Sequence, residues 1–198
     1  NKMKPFILAI LCLLACSGVF AASSPQERQT AWESRTDMQQ QSLFKNMKWR
    51  SIGPYFMGGR IVDIETLGSD PYAFLVATAS GGLWRTGNNA TTWSALFDGQ
   101  SSITIGDIAV SRSNPDLIWV GTGEANASRS SYSGSGVFKS TDGGKNWQNM
   151  GLADSHHIGR ILIDPGDDQI VFVAASGHLY TDNEARGLFK TADGGRSW

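Results

Sequence analysis

The sequence is 198 residues long and close to neutral, with 17 basic and 18 acidic side chains and a formal charge of −1. Nothing in that balance calls for a nucleic acid or an anionic membrane surface as partner. With 2 cysteines it cannot be a disulfide-stapled scaffold, so its fold must rest on a packed core.

The first element predicted along the chain is a targeting segment. Lys4 precedes an apolar run from Phe6 to Ala15, and Val19 and Ala21 then stand at the minus-three and minus-one places of a cleavage site. Residues 1–21 therefore have the pattern of a secretory signal peptide, and the run is short for a membrane span. A rival pattern makes Leu13-Leu14-Ala15-Cys16 a lipoprotein box with anchoring at Cys16; both predict export to the periplasm or beyond. Cys12 and Cys16 both lie in this segment, and its loss removes Lys2 and Lys4, taking the charge from −1 to −3. Residues 22–47 turn to Gln, Glu, Arg, Ser and Thr, a composition that suits either a mobile leader or one polar helix.

From residue 48 onward the chain repeats. Trp93, Trp147 and Trp198 each close a strand-like run and a short turn, and they are 54 and 51 residues apart, the period of a four-stranded propeller blade. The reading is all-β: an incomplete arc of about three antiparallel blades over residues 58–97, 103–151 and 156–198. Innermost strands are expected at Gly59-Arg60-Ile61, Gly106-Asp107-Ile108 and Gly159-Arg160-Ile161. Near-continuous apolar second strands follow at Phe74–Ala77, Leu117–Val120 and Ile170–Val173. Third strands run through Leu83-Trp84, Val137-Phe138 and Leu188-Phe189, and fourth strands begin at the tryptophans. Residues 48–52 match the segment at Trp147 and are predicted to be an outer strand that closes the wheel with its last blade; the alternative is an unrelated edge strand. Because the sequence stops on the last letter of a repeat, further blades are expected after Trp198.

The turn before each tryptophan has its own chemistry. In Ser140-x-Asp142-x-Gly144-x-x-Trp147 a carboxylate can accept turn N–H groups, a hydroxyl can brace it, and glycine permits positive φ. Thr191, Asp193, Gly195 and Trp198 repeat this pattern, and Thr86, Asn88, Ala90 and Trp93 form a weakened copy. The pattern resembles the Asp-box of bacterial neuraminidase repeats, found in sialidases, xyloglucan-hydrolysing propellers, photosystem-assembly-factor-like proteins and the sortilin-type receptor propeller. Residues 48 to 198 look most like exported bacterial proteins described as sortilin N-terminal-domain-like, through Trp49-Arg50-Ser51-Ile52-Gly53-Pro54, Gly121-Thr122-Gly123-Glu124, Ser155-His156-His157-Ile158-Gly159-Arg160 and Gly177-His178-Leu179-Tyr180. The resemblance implies that Ser140, Asp142, Gly144, Trp147, Thr191, Asp193, Gly195 and Trp198 are structural and remote from the ligand face.

Antiparallel blades place the turns on one rim and the second-to-third-strand connections on the other. Only those connections vary in length, with insertions at Glu124 to Ser135 and His178 to Arg186, which makes that rim the expected binding face. Candidate ligand-binding residues there are Arg60, Asp107, Glu124, His156, His157, Arg160, His178, Asp182 and Glu184. Arg60, Asp107 and Arg160 are expected at matching places around the channel mouth, forming a polar pocket or anion site. The competing reading pairs the arginines with carboxylates such as Asp107 and ties the histidines to loop backbone. His156 and His157 with His178 also offer a metal-ligand set, a signal of low specificity because two of them are sequence neighbours. No motif calls for a cofactor or metal.

The resemblance then implies an exported scaffold that binds a peptide, protein or glycan. The alternative is a carbohydrate-active hydrolase, sialidase- or xyloglucanase-like, with Glu124, Asp182 and Glu184 as candidate carboxylates. Two departures weigh against it. The sialidase Arg-Ile-Pro signature is absent, and Ala79 stands where xyloglucan-hydrolysing relatives carry a catalytic Asp.

Overall fold

A computed structural model describes residues 23–48, 59–129 and 131–198. The predicted signal peptide and outer strand, apart from Lys48, lie outside the described residues. Helix α1 (Pro25–Gln41) occupies the polar leader. Its start is set by a capping box: the Ser24 side chain accepts from the Glu27 N–H at 3.2 Å, and Glu27 accepts from the Ser24 N–H at 2.7 Å. No helix residue is buried, but Arg28 donates to the Ala153 carbonyl at 2.9 Å and so ties the helix to the sheets. No helix among the described residues is long and apolar enough to cross a membrane.

The remainder is an open arc of three antiparallel sheets, an incomplete β-propeller. The first blade runs β1 (Ile61–Thr66), β2 (Phe74–Thr78), β3 (Leu83–Thr86) and β4 (Ser94–Ala95) in spatial order. The second repeats this with β5 (Ile105–Val110), β6 (Ile118–Thr122), β7 (Val137–Ser140) and β8 (Gln148–Asn149). The third contains β9 (Ile158–Asp164), β10 (Asp167–Ala175) and β11 (Gly187–Thr191). Burial follows position in the stack: every residue of β6, in the middle blade, is buried, whereas along β10 buried and partly exposed residues alternate from Val171 to Ala175. One apolar cluster fills each interface. Leu75, Leu83 and Phe97 pack against Ile105, Ile108 and Ile118 in the first, and Trp119 and Val137 against Ile158, Val171 and Val173 in the second.

The turns before the tryptophans are built alike in all three blades. Asp142 Oδ1 accepts from the N–H groups of Lys145 at 3.0 Å and Asn146 at 2.9 Å, while Ser140 Oγ donates to that oxygen at 2.8 Å. These bonds to the charged form hold the Asp142 carboxyl down at about 2, with the Asn146 backbone donor contributing most. Asp193 is lowered for the same reason, chiefly by Ser197. In the weakened copy Asn88 Oδ1 accepts the Thr92 N–H at 2.9 Å, and Ala90 adopts the left-handed conformation (φ 65°) that Gly144 and Gly195 adopt elsewhere. A side chain there costs about 1–2 kcal/mol. Each glycine also has a packing reason: a Cβ on Gly195 would lie 2.6 Å from Trp119, and one on Gly144 2.8 Å from Leu96.

The tryptophans of the second and third blades reach across to the preceding blade. Trp147 Nε1 donates to the Leu96 carbonyl at 2.9 Å and meets Phe97 edge to face; Trp198 Nε1 donates to the Met150 carbonyl at 2.7 Å and meets Trp119 in the same way.

The innermost strands need one correction. Each carries a β-bulge near its start, so Ile61 pairs with Thr78 and Asp63 with Ala77, as Ile105 pairs with Thr122 and Asp107 with Gly121. In the third blade Ile158 pairs with Ala175 and Arg160 with Ala174. The residue equivalent to Asp107 and Arg160 is therefore Asp63, not Arg60. Gly-Arg-Ile at residue 59 imitates Gly-Arg-Ile at residue 159 in sequence but stands out of register with it.

The bulge acids clip neighbouring blades together. Asp63 Oδ2 accepts the Ile108 N–H at 3.3 Å, and Asp107 Oδ2 accepts the Ile161 N–H at 2.6 Å.

Candidate functional site

The antiparallel order puts the tryptophan turns at one end of the sheets and the long connections at the other. At that second end the loop between the second and third blades passes through Asp154 to His157, flanked by the connections that follow β6 and β10. The first blade has only the short turn around Ser80 there.

Glu124, just beyond β6, is fully buried and anchors this rim. Arg60 grips it with both arms of the guanidinium: Nε donates to Oε1 at 2.7 Å and Nη2 to Oε2. Ser131 Oγ donates to Oε2 at 3.3 Å. The Glu124 backbone forms a parallel bridge with Ile158, and the Glu124 carbonyl lies 2.7 Å from His157 Nδ1. Arg60 outweighs the cost of burial and holds the Glu124 carboxyl below its usual range, so this group is an anion at neutral pH and a poor general acid. His157 is buried and shifted downward, mainly by loss of solvent. The triad of Arg60, Glu124 and His157 thus joins all three blades.

Asp107 is likewise buried, and its partner is Arg160, with Nη1 to Oδ1 at 3.4 Å. Burial pushes its carboxyl up to about 7; the bond from Ile161 and the charge of Arg160 oppose the rise, and neighbouring Asp63 adds to it. Arg160 also lines a groove of about 750 Å³ along the adjacent innermost strands, with Glu65, Arg112 and Asp164. Glu65 is raised there by burial first and by Asp63 second.

Of the other candidates, Asp182 and Glu184 face solvent, with two tyrosines and an arginine beside them. Tyr180, Asp182 and Glu184 are exposed on the connection after β10, and Tyr132 and Arg129 on the one after β6. Arg186 is a brace: Nε donates to the Ser176 carbonyl at 2.8 Å and Nη2 to the His178 carbonyl at 2.7 Å. His156 and His178 stack at 3.7 Å between ring centres, with Asp154 beside both.

The sequence singled out His156, His157 and His178 together, but the structure divides them. His156 sits at φ 55°, ψ −45°, a tight turn closed by the His157 N–H on the Ser155 carbonyl at 2.5 Å, so consecutive imidazoles point in different directions. Asp154, which the sequence reading passed over, takes the place of His157 beside the other two. Asp63 and Ser131 were also missed, and only the register of the strands reveals the first.

No family model and no curated protein matches the chain. Among solved structures it is similar to an ancestral GH74 enzyme, with 18% identity over 70% of this chain and 18% of the other and a TM-score of 0.54. It also resembles YCF48 from Cyanidioschyzon merolae, with 19% identity over 73% of this chain and 38% of the other and a TM-score of 0.48. YCF48 bound to D1 peptide matches with 15% identity over 71% of this chain and 40% of the other, at a TM-score of 0.45. The chain spans under half the length of each. The GH74 likeness supports the propeller fold; at this identity it carries no activity with it.

Proposed function

We propose that this chain forms part of an exported, Asp-box-type β-propeller of the sortilin-like kind, which binds a peptide, protein or glycan on the rim opposite its tryptophan turns. The observation that carries this reading is the pair of exposed tyrosines, Tyr132 at 61% and Tyr180 at 78% exposure, on the two lengthened connections of that rim. A tyrosine held in solvent on a braced loop offers a flat apolar face and a hydroxyl at small entropic cost, the combination that sugar rings and peptide side chains both use. Arg129, Asp182 and Glu184 supply charge beside them. Arg60, Glu124, Asp107, Arg160 and His157 contribute in this reading by fixing the blades that carry the loops.

The test is a glycan and peptide array probed with the full-length protein, followed by calorimetric titration of the strongest hit. Tyr132→Ala and Tyr180→Ala should each weaken binding by up to about tenfold, since an aromatic contact contributes about 0.5–1.5 kcal/mol. Unchanged affinity in both variants removes the rim as the binding face. Steady release of reducing sugar from any array glycan would replace this reading with the hydrolase.

A further inference from the structure

We propose that Asp154, His156 and His178 form a binding site for a divalent transition ion, zinc foremost, which pins the loop between the second and third blades to the connection after β10. Asp154 Oδ1 lies 3.6 Å from His156 Nε2 and 3.5 Å from His178 Nε2. Zinc bonds to imidazole nitrogen and carboxylate oxygen at about 2.0–2.2 Å, which sets the edges of a tetrahedral site at about 3.3–3.6 Å. The two donor separations therefore already match a ligand set of two imidazoles and one carboxylate, leaving a further position for water.

Three further observations point the same way. His178 Nε2 is buried without a hydrogen-bond partner, although buried ring nitrogens are normally satisfied. The His178 backbone is held from behind, its carbonyl accepting from Arg186 Nη2 at 2.7 Å and Asn183 Nδ2 at 3.2 Å, so the ring is positioned on a fixed loop. His156 is held in a left-handed, non-glycine turn that aims its ring at His178, and strain of this kind concentrates at ligand clamps.

Two adjustments accompany binding. The rings are within 16° of parallel, and converging on one ion requires them to splay about their side-chain torsions. Asp154, whose side chain is 56% exposed, is free to turn its carboxylate inward. Nitrogen-rich donor sets favour zinc over calcium and magnesium, which take oxygen ligands. The site does not depend on the organic ligand proposed for the rim, since zinc alone is the probe.

The experiment is competitive titration of Zn²⁺ against a chromophoric indicator, using full-length protein freed of any affinity tag, with Co²⁺ substitution read by visible absorption. One equivalent of zinc should bind, cobalt should give the visible bands of a nitrogen-ligated ion, and Asp154→Asn and His178→Ala should each lower affinity at least about tenfold. Asp37→Asn, an exposed carboxylate on α1 outside the cluster, should bind as the parent does. Should His178→Ala misfold by circular dichroism, the exposed Asp154→Asn variant decides. Absence of stoichiometric uptake at micromolar zinc, or equal binding by parent and Asp154→Asn, overturns the site.

Discussion

Replacing Asp107 by Asn gives a direct measure of how a buried acid between blades responds to pH. The carboxyl rises from an ordinary value of 3.8 to about 7 because it is buried and near Asp63, with Ile161 and Arg160 only partly offsetting the rise. Between those values the folded chain holds a proton that the unfolded chain has released, so stability falls as pH rises, by up to about 1.4 kcal/mol per unit. The contribution is fully present below about 4, is lost progressively up to about 7, and is flat above. An asparagine in the same place can still accept the Ile161 N–H and does not titrate. From pH 5 to pH 8 the full-length Asp107→Asn variant should therefore gain about 2–3 kcal/mol relative to the parent, measured by urea unfolding at each pH. A parent-to-variant difference that stays constant across that range would refute the reasoning.

At the second blade interface, a Cβ on Gly121 would lie 2.4 Å from Ile158 Cγ2, so Gly121→Ala should destabilise by about 1–3 kcal/mol. Combining it with Ile158→Ala should recover part of that cost, and strict additivity in a double-mutant cycle by urea unfolding would show that the two residues do not meet. In the turn of the second blade, Asp142→Ala should leave the Lys145 and Asn146 N–H groups without their acceptor and speed their hydrogen exchange while β6 stays protected. The stabilisation from Asp142 is present above about pH 4 and is lost as pH falls through about 2, so the parent should approach the variant in exchange rate at the acid end.

The strands and turns were legible because each rests on local chemistry. Alternating and continuous apolar runs, turn residues before β2, β6 and β10, and the hydroxyl-acid-glycine spacing each act within a few residues. The capping-box spacing of Ser24 and Glu27 is present in the sequence but was not used to decide between a mobile leader and a polar helix, which the structure resolves as α1. The bulge in the innermost strand was not legible, because no residue type marks it, and the likeness of residues 59–61 to residues 159–161 favoured the wrong register. The rim divided similarly. Loop length showed where it lies, but the Arg60–Glu124 pair spans 64 residues, and the separation of His156 from His157 depends on a backbone conformation that histidine seldom adopts.

The bulge acids have a consequence for how such a chain can grow. On β5 the acid that serves the following blade, Asp107, and the amide that answers the preceding one, Ile108, are consecutive residues, so a single strand carries both halves of a head-to-tail fastening. A duplicated copy of this unit would arrive with matching links at both ends, whatever the size of the ring. Arg160 fills the same place on β9 with a guanidinium that reaches back to Asp107, so the succession of forward-offering acids changes polarity at that residue.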